Sequence, residues 1–139
     1  METGFSLDKR LVEDTWAVAS LPLCEVLLAK DSRFPWLILV PRRAGATEII
    51  DLGPEDRDLL LDEIVSASEA LKAETNCDKL NVAALGNQVS QLHVHVIARF
   101  VGDQAWPGPI WGHGEAVAYE PPVRDRLVER LRDLLPDTQ

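Results

Sequence analysis

The chain has three histidines, and two of them stand two residues apart in the segment Gln91-Leu92-His93-Val94-His95-Val96. In an extended strand successive side chains point to opposite faces, so this spacing puts Gln91, His93 and His95 on one face and Leu92, Val94 and Val96 on the other. The aliphatic face suits a core. The polar face presents two imidazoles and an amide, with neighbours about 6–7 Å apart along the strand and so within reach of one ligand. Imidazole titrates near neutral pH, so one ring can attack an electrophile while the next assists a leaving group. Phosphorus suits this grouping, because attack on it needs donors around the non-bridging oxygens. Gly86, Asn87, Gln88 and Ser90, just ahead of the pair, offer main-chain and side-chain donors.

Two other readings of the same residues stay open. A strand histidine is commonly a half-buried packing residue. An HxH pair also supplies two nitrogen ligands, to which His113 or Asp103 would add a third for a catalytic zinc. The small number of histidines and the lack of a nearby cysteine count against the metal.

The elements that would position these groups follow from periodicity and breakers. Ser6 reads as the N-cap of a short helix over Leu7 to Asp14. Leu23 to Ala29 and Trp36 to Val40 read as strands joined by a turn over residues 30–35, with Pro41 ending the second. Arg42, Arg43 and Gly45 follow in a loop. A helix runs from Gly53-Pro54 to about Thr75, opened by Pro and by Glu55, Asp56 and Asp58 near the positive end of its dipole. Its apolar stripe is Leu60, Leu61, Ile64, Val65, Ser68 and Leu71. Lys79 to Leu85 and Ser90 to Phe100 read as strands around a Gly86-Asn87 turn. The glycines, prolines and tryptophans between Gly102 and Gly114 argue for an ordered loop. Pro121-Pro122 opens a last helix, to about residue 136, with Leu127, Val128, Leu131, Leu134 and Leu135 on one face. Segregated strands and helices with hairpin connections favour α+β with an antiparallel sheet.

Composition narrows the function classes. With 139 residues, 46% apolar content and no internal repeat or linker, the chain reads as one packed domain, residues 1–139. A net charge of −9 disfavours a nucleic-acid polymer, whose phosphates are held by Lys and Arg. No apolar run approaches the length of an export signal's core or a membrane span. Cys24 and Cys77 lack a CxxC spacing and read as reduced thiols, so a soluble cytoplasmic protein without a membrane partner is expected.

The stretch Gly86-Asn87-Gln88-Val89-Ser90-Gln91-Leu92-His93-Val94-His95-Val96-Ile97 resembles the signature of the histidine triad (HIT) family, His-φ-His-φ-His-φ-φ with φ apolar. The likeness extends upstream through Leu27-Leu28-Ala29-Lys30-Asp31, Trp36-Leu37-Ile38-Leu39-Val40-Pro41 and Asp51-Leu52-Gly53-Pro54-Glu55-Asp56, and covers roughly residues 20–112. It implies a HIT-like α+β fold with a core over about 7–112, in which a five-stranded antiparallel sheet, a long helix and a C-terminal helix form each half of a homodimer. It further implies a nucleotide-binding hydrolase or transferase that cleaves a nucleoside phosphoramidate or dinucleoside polyphosphate through a covalent nucleotidyl-histidine. The nucleophile would be His93 and the leaving-group residue His95. Gln91 stands at the first triad position, where it can hydrogen-bond but not titrate.

By the same resemblance, Gln88, Ser90 and Asn87 would contact the α-phosphate, and Asp31 would take the ribose hydroxyls in place of an asparagine. Asp31 also reads as a plain turn aspartate. Leu27, Phe34 and Trp36 are pocket-wall candidates. Trp106, in Trp106-Pro107-Gly108-Pro109-Ile110-Trp111-Gly112, would stack on the base or leaving group, while Trp111 would seal an interface or cover the sheet. Arg42, Arg43 and Arg99 could offset phosphate charge. No resident metal or cofactor is expected, and Mg²⁺ would enter only with a polyphosphate substrate. Gln91 and Asp31 keep a catalytically weak or inactive nucleotide-binding module as the alternative.

Overall fold

A computed structural model describes residues 4–136. Among the described residues three α-helices, a 3-10 turn at Ile49–Asp51 and five strands occur, the helices and strands in the order α1 (Lys9–Asp14), β1 (Thr15–Ser20), β2 (Cys24–Ala29), β3 (Trp36–Pro41), α2 (Pro54–Thr75), β4 (Lys79–Ala83), β5 (Val94–Arg99) and α3 (Pro121–Leu134). The strands form one antiparallel sheet ordered β1-β2-β3-β5-β4. This is the α+β class expected from the segregated pattern. β1 has no counterpart in the sequence reading, because its Thr-Trp-Ala-Val-Ala-Ser run is short and weakly apolar. As an edge strand it is shielded by α3, whose Arg132 Nε donates to the Val18 oxygen at 2.7 Å.

Both faces of the central strands are covered, which is why β2 and β3 read as nearly unbroken apolar runs. On one face Val26, Leu28, Leu37, Leu39, Val94 and Val96 pack with α2 and α3 into the main core. On the other, Leu27, Ala29, Ile38 and Val40 pack under Leu11 of α1, and Ile97 packs with Phe34, Ala105 and Ile110 of the loop after β5. The sequence-expected cluster therefore sits in the second layer, between α1 and that loop.

Several local expectations shift. The first helix starts at Lys9 with Asp8, not Ser6, as N-cap, its carboxylate accepting from the Arg10 N–H at 2.8 Å. α2 spans the expected range and buries Leu60 and Leu71 of its expected stripe, with Ile64 packed against the core, but Leu61 and Val65 lie 62% and 47% exposed and Ala67 and Ala70 are buried instead. Small residues let the helix approach the sheet closely, a preference that counting large apolar residues cannot register. Glu63 turns inward too, its carboxylate accepting from the main-chain N–H of Leu23 and Cys24 at 2.8 Å each. On α3, Leu131 is buried while Leu134 is exposed. The strand expected over Ser90 to Phe100 begins only at Val94, and β4 ends at Ala83, so residues 84–93 form a loop instead of a tight Gly86-Asn87 turn. Gly86 holds φ +75°, the left-handed conformation that glycine adopts without strain.

Candidate active site

β5 lies between β3 and β4, and its second residue, His95, has Ile38 on one side and Ala83 on the other. His93 sits just before the strand, at the end of the 84–93 loop. Both are almost fully buried, with ring centroids 5.0 Å apart and edge to face. They line a cleft of about 660 Å³ together with Asn87 and Gln88 of the loop, Trp36 and Ile38 of β3, and Trp111 and His113 of the segment after β5.

The partners of the two rings assign their hydrogens. His93 Nδ1 lies 2.6 Å from the main-chain oxygen of Gln91, which only accepts, so Nδ1 carries a hydrogen and, in the neutral ring, the lone pair is on Nε2. His95 Nδ1 accepts from Trp36 Nε1 at 2.9 Å. An indole nitrogen only donates, so the His95 hydrogen is on Nε2. Burial first, then the charge of His93, lowers the His95 pKa from 6.5 to about 4. The pair thus offers one nucleophilic nitrogen and one neutral N–H donor.

Gln91 is the main correction to the expected triad face. Residues 90–93 are not strand, and Gln91 does not line the cleft that holds both rings. Its Oε1 accepts from the Asp8 N–H and its Nε2 donates to the Ser6 oxygen, both at 2.8 Å, which ties the loop to the N-terminal segment. Its main-chain oxygen, not its amide, orients His93. Ser90 is exposed and does not line the cleft; Asn87 and Gln88 do.

The remaining expected residues divide similarly. Asp31 lines the cleft, but its carboxylate is occupied: Oδ2 accepts from Arg33 at 2.8 Å and Oδ1 from the Arg33 and Val117 N–H groups at 3.1 and 3.3 Å. Burial raises its pKa, yet these hydrogen bonds and the Arg33 charge outweigh that and hold it below the usual carboxylate range. Its acceptor sites serve the turn, which favours the plain-turn reading over the ribose one. Leu27 lies behind the wall under Leu11, and Phe34 is buried under Ile110; Ala29, Ile38 and Trp36 form the wall itself.

The tryptophans exchange roles. Trp106 packs against Arg99, the guanidinium 5.6 Å from its ring, away from the cleft. Trp111 stands edge-on to His95 with centroids 5.1 Å apart and edge-on to Trp36 at 6.4 Å. Arg42 bonds Glu25, Arg43 pairs with Asp56, and Arg99 is buried with Asp103, so none of the three faces the cleft. Lys30 and Arg33, on either side of Asp31, line it. Asp103 is likewise taken by Arg99. Among the described residues no group of three His, Cys, Asp or Glu is placed to hold a metal ion.

Fold and site together define an α+β protein with paired imidazoles, His95 on the central sheet and His93 at the end of the loop of polar donors that precedes it. The HIT domain matches residues 10–102, and the chain belongs to that family, whose members are generally nucleotide-binding hydrolases or transferases. Solved structures of three histidine triad proteins are similar over nearly the whole chain. That from Bradyrhizobium japonicum is 50% identical, with 95% of this chain and 98% of the other covered at a TM-score of 0.93. That from Sinorhizobium meliloti is 44% identical, covering 96% and 98% at 0.93. That from Marinobacter aquaeolei is 45% identical, covering 94% and 96% at 0.91. No functionally curated protein matches the chain. Among the described residues no helix is long and apolar enough to cross a membrane.

Proposed function

We propose that this protein is a nucleotide hydrolase or nucleotidyl transferase acting on a nucleoside phosphoramidate or dinucleoside polyphosphate, with His93 as the nucleophile. The observation that carries this reading is the 2.6 Å bond from His93 Nδ1 to the Gln91 main-chain oxygen, which leaves Nε2 as the attacking nitrogen in a cleft of nucleotide size. Nε2 attacks the α-phosphorus and the leaving group departs beside the His95 Nε2–H. Main-chain and side-chain donors of Asn87 and Gln88 steady the non-bridging oxygens, and water then releases the nucleoside monophosphate. Ala29, Ile38 and Trp111 wall the nucleoside portion, while Lys30 supplies positive charge at the rim and Arg33 is paired with Asp31. Mg²⁺ enters only as the companion of a polyphosphate substrate.

The natural assembly in this reading is a homodimer. It is supported by β4 at the sheet edge with Val82 49% exposed, and by Leu61 and Val65 exposed on α2. The two buried free thiols support a reducing, cytoplasmic setting.

The test is a trap. A labelled nucleotide substrate, quenched during turnover, should leave an acid-labile adduct on His93 that His93→Ala lacks, while the variant keeps its fold. Wild-type turnover by His93→Ala would sink the mechanism. Nucleotide binding without any adduct or turnover would leave a binding module.

A further inference from the structure

Trp36 opens β3 with Ile97 as its partner across the sheet, which places it diagonal to His95 on the cleft face. The two rings are tilted by 50° with centroids 5.6 Å apart, and the indole N–H meets His95 Nδ1 at 2.9 Å. Trp111 closes against both rings from the loop after β5, and His93 stands on a further side of His95. The imidazole is therefore boxed by three aromatic rings. An imidazolium at this position would set an N–H against the indole N–H, and the surrounding rings oppose the rotation that would relieve it.

Resting on the nucleotidyl-His93 reading, we propose that Trp36 is a positioning residue that holds His95 as a neutral Nε2–H donor, so that the site selects phosphoanhydrides over phosphoramidates of alkylamines. In the first step the Nε2 lone pair of His93 forms an N–P bond as the bond from phosphorus to the bridging oxygen breaks. That electron pair stays on the departing phosphate, which the His95 N–H steadies by hydrogen bonding without transferring its proton. His93 keeps its Nδ1 hydrogen against the Gln91 oxygen, so the adduct is a cationic imidazolium. Water then attacks phosphorus, the N–P bond returns its pair to His93 Nε2, and the spare proton of the water goes to solvent. A departing phosphate leaves as a stable anion. A departing alkylamine has to receive a proton, and a neutral imidazole is a far weaker acid than an imidazolium. His113, at the exposed rim of the same cleft, is the other imidazole able to supply one.

The test compares adenosine donors that differ only in the leaving group: a diadenosine polyphosphate, an aryl phosphate ester series of graded acidity, and an alkylamine phosphoramidate. The expected wild-type result is a kcat/KM for the anhydride about 100-fold or more above that for the phosphoramidate, the span general-acid catalysis ordinarily covers. A steep dependence on leaving-group acidity should accompany it. Trp36→Phe keeps the ring and removes the N–H; it should narrow that ratio about tenfold and flatten the dependence, a change that a packing defect alone would not produce. Nitrogen-15 spectra of wild-type protein, independent of any variant's folding, should show His95 protonated on Nε2 only and His93 on Nδ1 only. Equal wild-type rates on anhydride and phosphoramidate would overturn the proposal, whether or not His113→Ala removes the second activity. An imidazolium or Nδ1–H tautomer of His95 at pH 7 would also overturn it. Those results leave the nucleotidyl-His93 reading intact if the adduct forms, whereas absence of the adduct with every donor overturns both.

Discussion

Gln91 holds His93 through its main chain while its side chain serves a different part of the protein. The Gln91 carbonyl oxygen is 2.6 Å from His93 Nδ1, and the Gln91 amide bonds the main chain of Ser6 and Asp8 at 2.8 Å each. Gln91 thus orients the His93 ring through its main chain and tethers the N-terminal segment through its side chain. Gln91→Ala should cost about 1–2 kcal/mol of stability for two lost side-chain hydrogen bonds. Its effect on turnover should be far smaller than that of His93→Ala, expected at roughly a thousandfold or more. Denaturant unfolding and steady-state kinetics check both. Equal losses of activity in the two variants would put the Gln91 amide back into the chemistry.

Trp111 and Trp106 should separate by readout. Trp111 stands against His95 in the cleft, so Trp111→Ala should raise the KM for nucleotide by up to about tenfold, the value of a lost aromatic contact. Trp106 packs on the buried Arg99 instead, and Trp106→Ala should lower stability by about 2 kcal/mol with a smaller change in KM. Reversal of the pattern would restore the first expectation for Trp106.

Arg99 and Asp103 hold the start of the loop that carries Trp111. The guanidinium is 2% exposed and meets the carboxylate at 2.8 and 2.9 Å, and the same carboxylate accepts from the N–H groups of Phe100 and Ala105. Asp103→Ala leaves a buried cation unpaired and should cost about 3–5 kcal/mol, measured by urea unfolding. A loss below about 1 kcal/mol would mean that water or Asn81 compensates for the missing carboxylate.

Acid should weaken the fold through His95. Its pKa falls from 6.5 to about 4 through burial and the charge of His93, so between those values the unfolded chain binds a proton that the folded chain does not. Stability therefore rises with pH across that window and is lost as pH falls through it, by up to about 3 kcal/mol once pH reaches 4. His95→Asn removes this term. Its stability should depend less steeply on pH between 6.5 and 4 than that of the wild type, and superimposable profiles would contradict the assignment.

Cys24 and Cys77 are free and buried, and burial followed by the nearby Glu63 carboxylate pushes the Cys24 thiol well above its ordinary pKa. A thiol reagent should find neither cysteine in native protein and both after denaturation. Rapid labelling of native Cys24 would show that the contact between β2 and α2 opens readily.

The sequence alone determined what depends on neighbouring residues. Alternation set the imidazole pair against an aliphatic face, Pro and acidic residues marked the start of α2, and turn residues bounded the β2–β3 hairpin. What escaped it lies in contacts between distant segments. Residues 6 and 8 meet residue 91, residue 36 meets residue 95, and residue 111 returns over the same ring, none of which periodicity encodes. Where the strand stops at Val94, the alternation rule stops too, so only the tertiary structure decided that Gln91 stays out of the histidine cleft and that Trp111, not Trp106, lines it. The hydrogens on His93 and His95 belong to the same category. Ring chemistry allows either nitrogen to carry the proton, and the Gln91 carbonyl and the Trp36 indole, brought there by folding, select opposite nitrogens on the two rings.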